Sequence, residues 1–165
     1  MTVYKRFEKE LHDRFDGNSR EIAANFLVST GEYELETSLE KQPEAFHGYD
    51  FYIRHLPTGQ NFNVEVERKT VWTVEGMWQY PGQEIHVSAR KDKSRAHIFI
   101  MINRSGKTLL FANMKEVLNS RKITKNTWNK FTGTKTRQEP FFALQLSNPT
   151  VGMYQYENSM WRRVL

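Results

Sequence analysis

Three charged side chains alternate along one predicted strand, at a spacing that could support phosphate chemistry. Residues 61–69 read NFNVEVERK, with Glu65, Glu67 and Lys69 at every second position. Because side chains two residues apart on a strand point to the same face, two carboxylates and an ammonium would share one surface. That surface is either a solvated face whose charges prevent aggregation or a metal site that hydrolyses phosphodiesters.

An aspartate on the preceding predicted strand favours the metal site. The segments YDFYIRH and QNFNVEVERKTVW flank LPTG, which predicts a hairpin with its turn at residues 57–60. That register places Asp50 opposite Glu67, with Cβ atoms about 4.5–5.5 Å apart. Carboxylates this close repel each other unless one is protonated or a cation lies between them. Mg²⁺ prefers such oxygen ligands, and Lys69 would position the attacking water and stabilise the developing negative charge.

The charge of the chain favours an anionic partner. Net charge is +5 over 165 residues, a length that suggests one domain over residues 1–165. Residues 1–50 hold 6 Lys or Arg against 11 Asp or Glu, whereas residues 51–165 hold 18 against 8. A basic majority beside an acidic minority is typical of proteins that bind nucleic acid.

Composition also limits the function classes. The chain has no cysteine, which excludes disulfides, thiolate metal sites and cysteine nucleophiles. No apolar run predicts a signal peptide or a membrane helix. We therefore expect no membrane partner. The expected location is the cytoplasm, including the host cytoplasm if a phage or mobile element encodes the protein.

The hydrophobic pattern predicts an α/β protein with a mixed sheet. Helices are predicted at 3–15, from an Asn18 N-cap to Gly31, and at 113–120 with Asn113 as cap. Strands are predicted on both sides of LPTG and at 84–91, 96–103, 108–112 and 140–146. The run AHIFIMIN at 96–103 is apolar throughout, as expected for a central strand buried on both faces. The predicted core covers 18–112 and 140–146, and the basic segment 121–137 is predicted as a loop.

Two basic groups are candidates for phosphate contacts. The first precedes the central strand, and the second lies in the 121–137 loop. Trp128 and Phe131 are interleaved in that loop, where they could stack on bases or pack back onto the core. The alternative for the first group is a solvated turn. The candidate DNA-binding residues are Arg90, Lys91, Lys93, Arg95, Arg121, Lys122, Lys125, Lys130, Lys135 and Arg137.

Asp50 followed by Glu67-Arg68-Lys69 at the end of an apolar strand resembles the PD-(D/E)XK nuclease superfamily. Residues 18–35, NSREIAANFLVSTGEYEL, look like the opening helix of its Holliday-junction-resolvase-like branch. The resemblance covers roughly residues 18–112. It implies a restriction-endonuclease-like fold, with a mixed β-sheet of about five strands flanked by helices. It also implies a DNA substrate, Mg²⁺ as cofactor with Mn²⁺ able to substitute, and a homodimer.

The resemblance adds two glutamates to the site. A helical glutamate commonly joins the metal in that branch, and Glu21 matches it; its alternative role is N3 of a capping box after Asn18. If Glu65 were the metal ligand, Glu67 would occupy the lysine position as a less common variant. The predicted register instead favours Glu67, with Glu65 beside the site.

The leading hypothesis is an Mg²⁺-dependent DNA endonuclease. Its catalytic residues are Asp50, Glu67 and Lys69, and its metal ligands are Asp50, Glu67 and Glu21. One alternative is a non-catalytic nucleic-acid-binding module on the same fold. Another is a structural protein whose acidic strand is only a surface. Convergence of Asp50, Glu67 and Lys69 at one point would separate these hypotheses.

Overall fold

The computed structural model describes residues 18–42, 48–79, 82–128 and 135–165. The helix predicted at 3–15 and the residues Lys130 and Phe131 lie outside these ranges. The helices are α1 at 18–29 and α2 at Met114–Leu118, with 3-10 helices at Leu39–Lys41 and Ala89–Lys93. The strands are β1 Tyr33–Glu34, β2 Phe51–His55, β3 Gln60–Arg68, β4 Glu84–Ser88, β5 Ile98–Ile102, β6 Thr108–Asn113, β7 Arg121–Trp128, β8 Lys135–Gln145, β9 Gly152–Glu157 and β10 Met160–Arg163.

Two sheets organise the described residues. The larger has seven strands in the order β1-β2-β3-β5-β6-β9-β10, and the smaller has three in the order β4-β8-β7. Strands β3 and β5 are parallel, and the other neighbours in the larger sheet are antiparallel. A parallel pair needs a crossover connection. Here the crossover contains β4 and the 3-10 helix Ala89–Lys93, so it also starts the second sheet.

The central strand β5 separates two apolar layers. All five of its residues are buried. Ile98, Ile100 and Ile102 pack with α1, whereas Phe99 and Met101 pack with β4, β8 and α2. This alternation follows from the two-residue period of a strand. Burial of each large side chain contributes about 1.5–3 kcal/mol, so the helix and the second sheet are both held against the larger sheet.

The structure confirms the α/β class and the mixed sheet. The expected number of about five strands is too low, since the described residues contain ten. Strand β5, the β2–β3 hairpin and a strand at β4 lie where the sequence predicts them. Asn113 caps α2, as predicted, by accepting a hydrogen bond from the Lys115 N–H at 2.9 Å.

The predicted loop at 121–137 is wrong. Residues 121–128 form β7, and residues from 135 onward form the start of β8, paired antiparallel with it. The basic side chains do not prevent strand formation because they cover aromatic rings. The ammonium of Lys122 lies 5.5 Å from the centroid of the Phe142 ring, and that of Lys125 lies 4.6 Å from the Phe141 ring. The strand predicted at 140–146 is therefore the second half of a longer one.

Helix α1 differs from its prediction at one end. Residue 18 is already helical, so Asn18 is not an N-cap. The other end agrees: Gly31 has φ +82° and donates its N–H to the Val28 carbonyl at 3.1 Å. Glycine enters this left-handed conformation without the steric penalty of a Cβ. None of the helices in the described part of the chain has the length and hydropathy needed to span a bilayer.

Candidate acidic site on strand β3

The β2–β3 register differs from the predicted one by two residues. Phe51 pairs with Val64 and His55 pairs with Gln60, so the loop is Leu56–Gly59. Gly59 has φ +70° and donates its N–H to the His55 carbonyl at 2.8 Å. The glycine therefore belongs to the turn, because its conformation is unfavourable for other residues.

Extending this register by one residue places Asp50 beside Glu65. The prediction that Asp50 faces Glu67 is wrong. The aspartate is fixed where β2 begins: its backbone N–H donates to the Val64 carbonyl at 2.8 Å, and its Oδ2 accepts the Val66 N–H at 2.6 Å. A carboxylate that accepts a backbone N–H makes one of the stronger hydrogen bonds in a protein, which holds this side chain against β3.

Glu65 and Glu67 share one face of the larger sheet. Glu65 pairs with Phe99 and Glu67 with Met101 in the parallel register, and both partners belong to the layer under the second sheet. Val64, the preceding residue of β3, is fully buried on the other face, against the α1 layer. Glu65 is only 6% exposed. A carboxylate so far removed from water requires a partner.

That partner is Lys91, which forms an ion pair with Glu65. Lys91 belongs to the 3-10 helix Ala89–Lys93, which Ser88 caps by accepting the Arg90 N–H at 3.3 Å. Burial opposes the charge of Lys91, but its hydrogen bond to Glu65 and the nearby carboxylates raise its pKa above the ordinary value. Burial raises the pKa of Glu65 despite the hydrogen bond from Lys91, and the charge of Asp50 raises it further.

Glu67 lies in a field of three lysines. Burial raises its pKa, whereas the charges of Lys69, Lys91 and Lys125 lower it. Lys69 follows the last residue of β3, and its backbone N–H still donates to the Ile102 carbonyl at 2.8 Å. Carboxylates and ammonium groups therefore converge at this end of β3. The charge of Lys69 acts on Glu67, and a direct contact between the two side chains stays a prediction.

The predicted helical ligand lies apart from this cluster. Glu21 is exposed on α1, and α1 packs on the sheet face opposite to Glu65 and Glu67. Its charge is not among those that shift the pKa of either residue.

The predicted DNA-binding residues divide into three groups. Lys91 and Lys125 act on the acidic site. Arg90, Lys93, Arg95, Arg121 and Lys122 are exposed. Of these, Arg90 lies 3.5 Å from a Glu139 oxygen, and Arg121 lies 2.8 Å from one of Glu84. Lys135 and Arg137 are placed by their backbone in β8, as Trp128 is in β7.

The carboxylates of this site are ligands of the type that binds divalent cations. The described residues contain no group of three or more His, Asp or Glu side chains arranged to hold a metal. Mg²⁺ is commonly held by one or two carboxylates, with water and substrate phosphate completing the shell. Asp50 and Glu65, on neighbouring strands, supply hard oxygen ligands of that type.

Sequence reasoning assigned Lys91 to DNA and left His86 out of the site. His86 lies on β4, with Nδ1 at 3.0 Å from the Lys125 ammonium. Ser88 could have indicated the position of Lys91. It is a capping residue at the end of a strand, which predicts the start of a short helix. That helix turns the chain back toward β3.

Comparisons with protein-family models, with curated proteins and with solved structures gave no match to this chain. What the site can do therefore follows from its geometry and charge.

Proposed function

We propose that the protein is an Mg²⁺-dependent DNA endonuclease that hydrolyses phosphodiester bonds at the acidic end of β3. The observation that carries the proposal is the buried Glu65–Lys91 ion pair beside Asp50, with the charges of Lys69, Lys91 and Lys125 acting on neighbouring Glu67. A surface of alternating charge would need no buried carboxylates, yet burial raises the pKa of both glutamates. Perturbed groups of this kind cluster at functional sites.

The carboxylates have separate roles in this proposal. Asp50 and Glu65 hold the metal, since the observed register brings them together. Glu67 would accept a hydrogen bond from a metal-bound water. When bound, the metal supplies Lewis-acid activation of the phosphate and an activated water. The Val66 N–H, which Asp50 accepts at 2.6 Å, keeps that carboxylate oriented throughout.

The lysines neutralise negative charge. Lys69 positions the attacking water and stabilises charge that develops on the phosphate, as its position beyond Glu67 allows. Lys91, now paired with Glu65, would be available to a phosphate oxygen if a cation neutralised that carboxylate. An ammonium suits this exchange because it acts as a compact point charge on a flexible stem.

The proposed fold is the restriction-endonuclease-like one. Its support is the β2–β3 hairpin beside the parallel strand β5, with α1 on the opposite face. The exposed arginines and lysines around the 3-10 helix Ala89–Lys93 would contact the DNA backbone. Affinity should then fall steeply with salt. The homodimer and the cytoplasmic location stay predictions, and sedimentation of the purified protein with and without DNA tests the first.

The test is a cleavage assay on supercoiled plasmid, linear duplex and a four-way junction. Each substrate is incubated with Mg²⁺, Mn²⁺ or EDTA. We expect metal-dependent cleavage that Glu65→Gln, Glu67→Gln and Lys69→Ala reduce by at least about 100-fold, a typical loss for groups that stabilise transition-state charge. Glu34→Gln, an exposed glutamate on β1, is the matched control. Cleavage that the site variants leave unchanged would identify a contaminant and refute the proposal.

A second candidate is a non-catalytic nucleic-acid-binding module. One observation favours it: Glu65 already has an ammonium partner, so the site is neutralised without a metal. This candidate predicts DNA binding that Mg²⁺ and Asp50→Asn do not change, with no cleavage of any of the three substrates.

A further inference from the structure

A chain of contacts on the smaller sheet fixes the tautomer of His86. One oxygen of Glu84 accepts hydrogen bonds from Arg121 and Gln145, each at 2.8 Å. The other lies 3.1 Å from Nε2 of His86. The hydrogen bond from His86, followed by that from Arg121, lowers the pKa of Glu84, so this carboxylate is ionised and can only accept. His86 Nε2 therefore donates to Glu84, and Nδ1 is the acceptor because it faces the Lys125 ammonium, which can only donate.

The acceptor on His86 is used by Lys125. The Lys125 ammonium lies 3.0 Å from His86 Nδ1, and the Phe141 ring supports the same ammonium at 4.6 Å from its centroid. The first contact is a hydrogen bond and the second a cation–π interaction. A lysine normally samples many rotamers, so two contacts from β4 and β8 hold this one in place.

The held ammonium lies close enough to the acidic site to act on it. Burial lowers the pKa of Lys125 and the charge of Lys69 lowers it further, whereas the charge of Glu67 raises it. Lys69 and Lys125 therefore both act on Glu67, while Lys91 is paired with Glu65. Within the described part of the chain, Lys125 uses one of its three N–H donors in the hydrogen bond to His86. The remaining donors suit an anion with several oxygens.

We propose that Lys125 binds a phosphate of the DNA backbone next to the one that is cleaved, and that His86 is its positioning residue. This inference rests on the proposed nuclease function. His86 touches neither DNA nor metal in this arrangement and acts by orienting the ammonium. The ligand is a phosphodiester, because it presents the paired anionic oxygens that such donors require.

The test measures DNA binding without turnover, in EDTA, as a function of salt. Lys125→Met keeps the aliphatic stem over Phe141 and removes the charge. We expect the slope of log affinity against log salt to fall by about 0.9, the value for one lost phosphate contact on a duplex. At about 0.1 M salt that slope corresponds to a loss of roughly five- to tenfold in affinity. Lys41→Met, an exposed lysine on the 3-10 helix Leu39–Lys41, is the control and should leave the slope unchanged.

The positioning role is tested separately. His86→Ala should weaken binding less than Lys125→Met does, and the double variant should be no weaker than Lys125→Met alone. His86→Asn restores an acceptor in place of Nδ1 and should recover most of the loss. Circular dichroism and melting temperature verify folding. If Lys125→Met is unfolded, Lys125→Arg, which keeps the charge, replaces it. The salt slope of Lys125→Arg should equal that of the wild type.

The outcomes separate this inference from the function on which it rests. If the wild type neither binds nor cuts DNA, the proposed function fails. If the wild type does both but Lys125→Met keeps the wild-type slope, or Lys125→Arg changes it, the Lys125 contact is refuted and the nuclease proposal stands. If the losses of His86→Ala and Lys125→Met add, His86 does not act through the lysine.

Discussion

Replacing Lys91 by methionine should destabilise the protein through Glu65. The side chain of Glu65 is 7% exposed, and Lys91 is its ion-pair partner. Methionine keeps the length of the apolar stem but removes the ammonium. The variant must then either leave a charged carboxylate in a poorly solvated place or protonate it at neutral pH. Both alternatives cost free energy of folding.

The size of the loss is set by how well water can replace the ammonium. Breaking a fully buried pair by removing one partner costs about 3–5 kcal/mol. The Lys91 side chain is 34% exposed, so water partly compensates. We therefore expect a loss of about 1–3 kcal/mol, the range for an unsatisfied buried polar group. For a chain of this length, a loss of 2 kcal/mol lowers the melting temperature by roughly 4–8 °C.

The loss should depend on pH in a defined direction. Without Lys91, the pKa of Glu65 rises further above its ordinary value. A carboxyl group whose pKa is raised by folding loses stability as pH rises from its unfolded value. The deficit should be largest at pH 7–8 and should shrink toward pH 4–5, as Glu65 takes up a proton.

Urea unfolding at pH 7.5 and pH 4.5 measures these differences. Lys93→Met, an exposed lysine on the same 3-10 helix, should change stability by less than about 0.5 kcal/mol. Adding Glu65→Gln to Lys91→Met should recover most of the loss, since no charge is then left unpaired. A Lys91→Met deficit that is equal at both pH values, or that survives Glu65→Gln, would refute the ion-pair reasoning.

Three further predictions concern the site and the turn between β5 and β6, which contains Asn103 and Gly106. Glu67→Gln should raise stability at pH 7.5 by up to about 1 kcal/mol, because burial disfavours its charge; melting temperatures that are equal or lower would contradict this. Asn103→Ala should cost about 2–3 kcal/mol in urea unfolding, since fully buried Asn103 accepts two backbone N–H groups; a loss under about 1 kcal/mol would show that these groups find other partners. Gly106→Ala should cost about 1–3 kcal/mol because φ is +81° and the new Cβ would lie 2.7 Å from Ile22 Cδ1; Ile22→Ala in the same chain should recover part of that loss.

The spacing of hydrophobic residues along the sequence was enough to predict the apolar layers around β5. The apolar run around β5 and the alternation of Val64 and Val66 with Glu65 and Glu67 are local signals, and the structure places both as expected. Asn113 was also readable, because a cap depends only on the residues next to it.

The sequence was less informative where partners are distant. The basic residues of β7 look like a solvated loop until β8 provides both hydrogen bonds and the Phe141 and Phe142 rings. The partner of Glu65 is 26 residues away in sequence, and no spacing rule links it to Lys91. The predicted hairpin register was wrong because Pro57 suggested that the turn begins there. The conformation of Gly59 instead requires the turn to end before Gln60.

The two-residue period of β3 has a consequence for how the site can change. A shift of the hairpin by two positions exchanges Glu65 for Glu67 beside Asp50 and leaves both on the same side of the sheet. A shift that brings Glu67 beside Asp50 would therefore preserve an acidic pair, whereas the same shift in the opposite direction would bring Asn63 there. A single-residue change would instead bring Val66 or Val64 to that place. The strand thus carries a second carboxylate that can replace Glu65 beside Asp50 for one direction of shift.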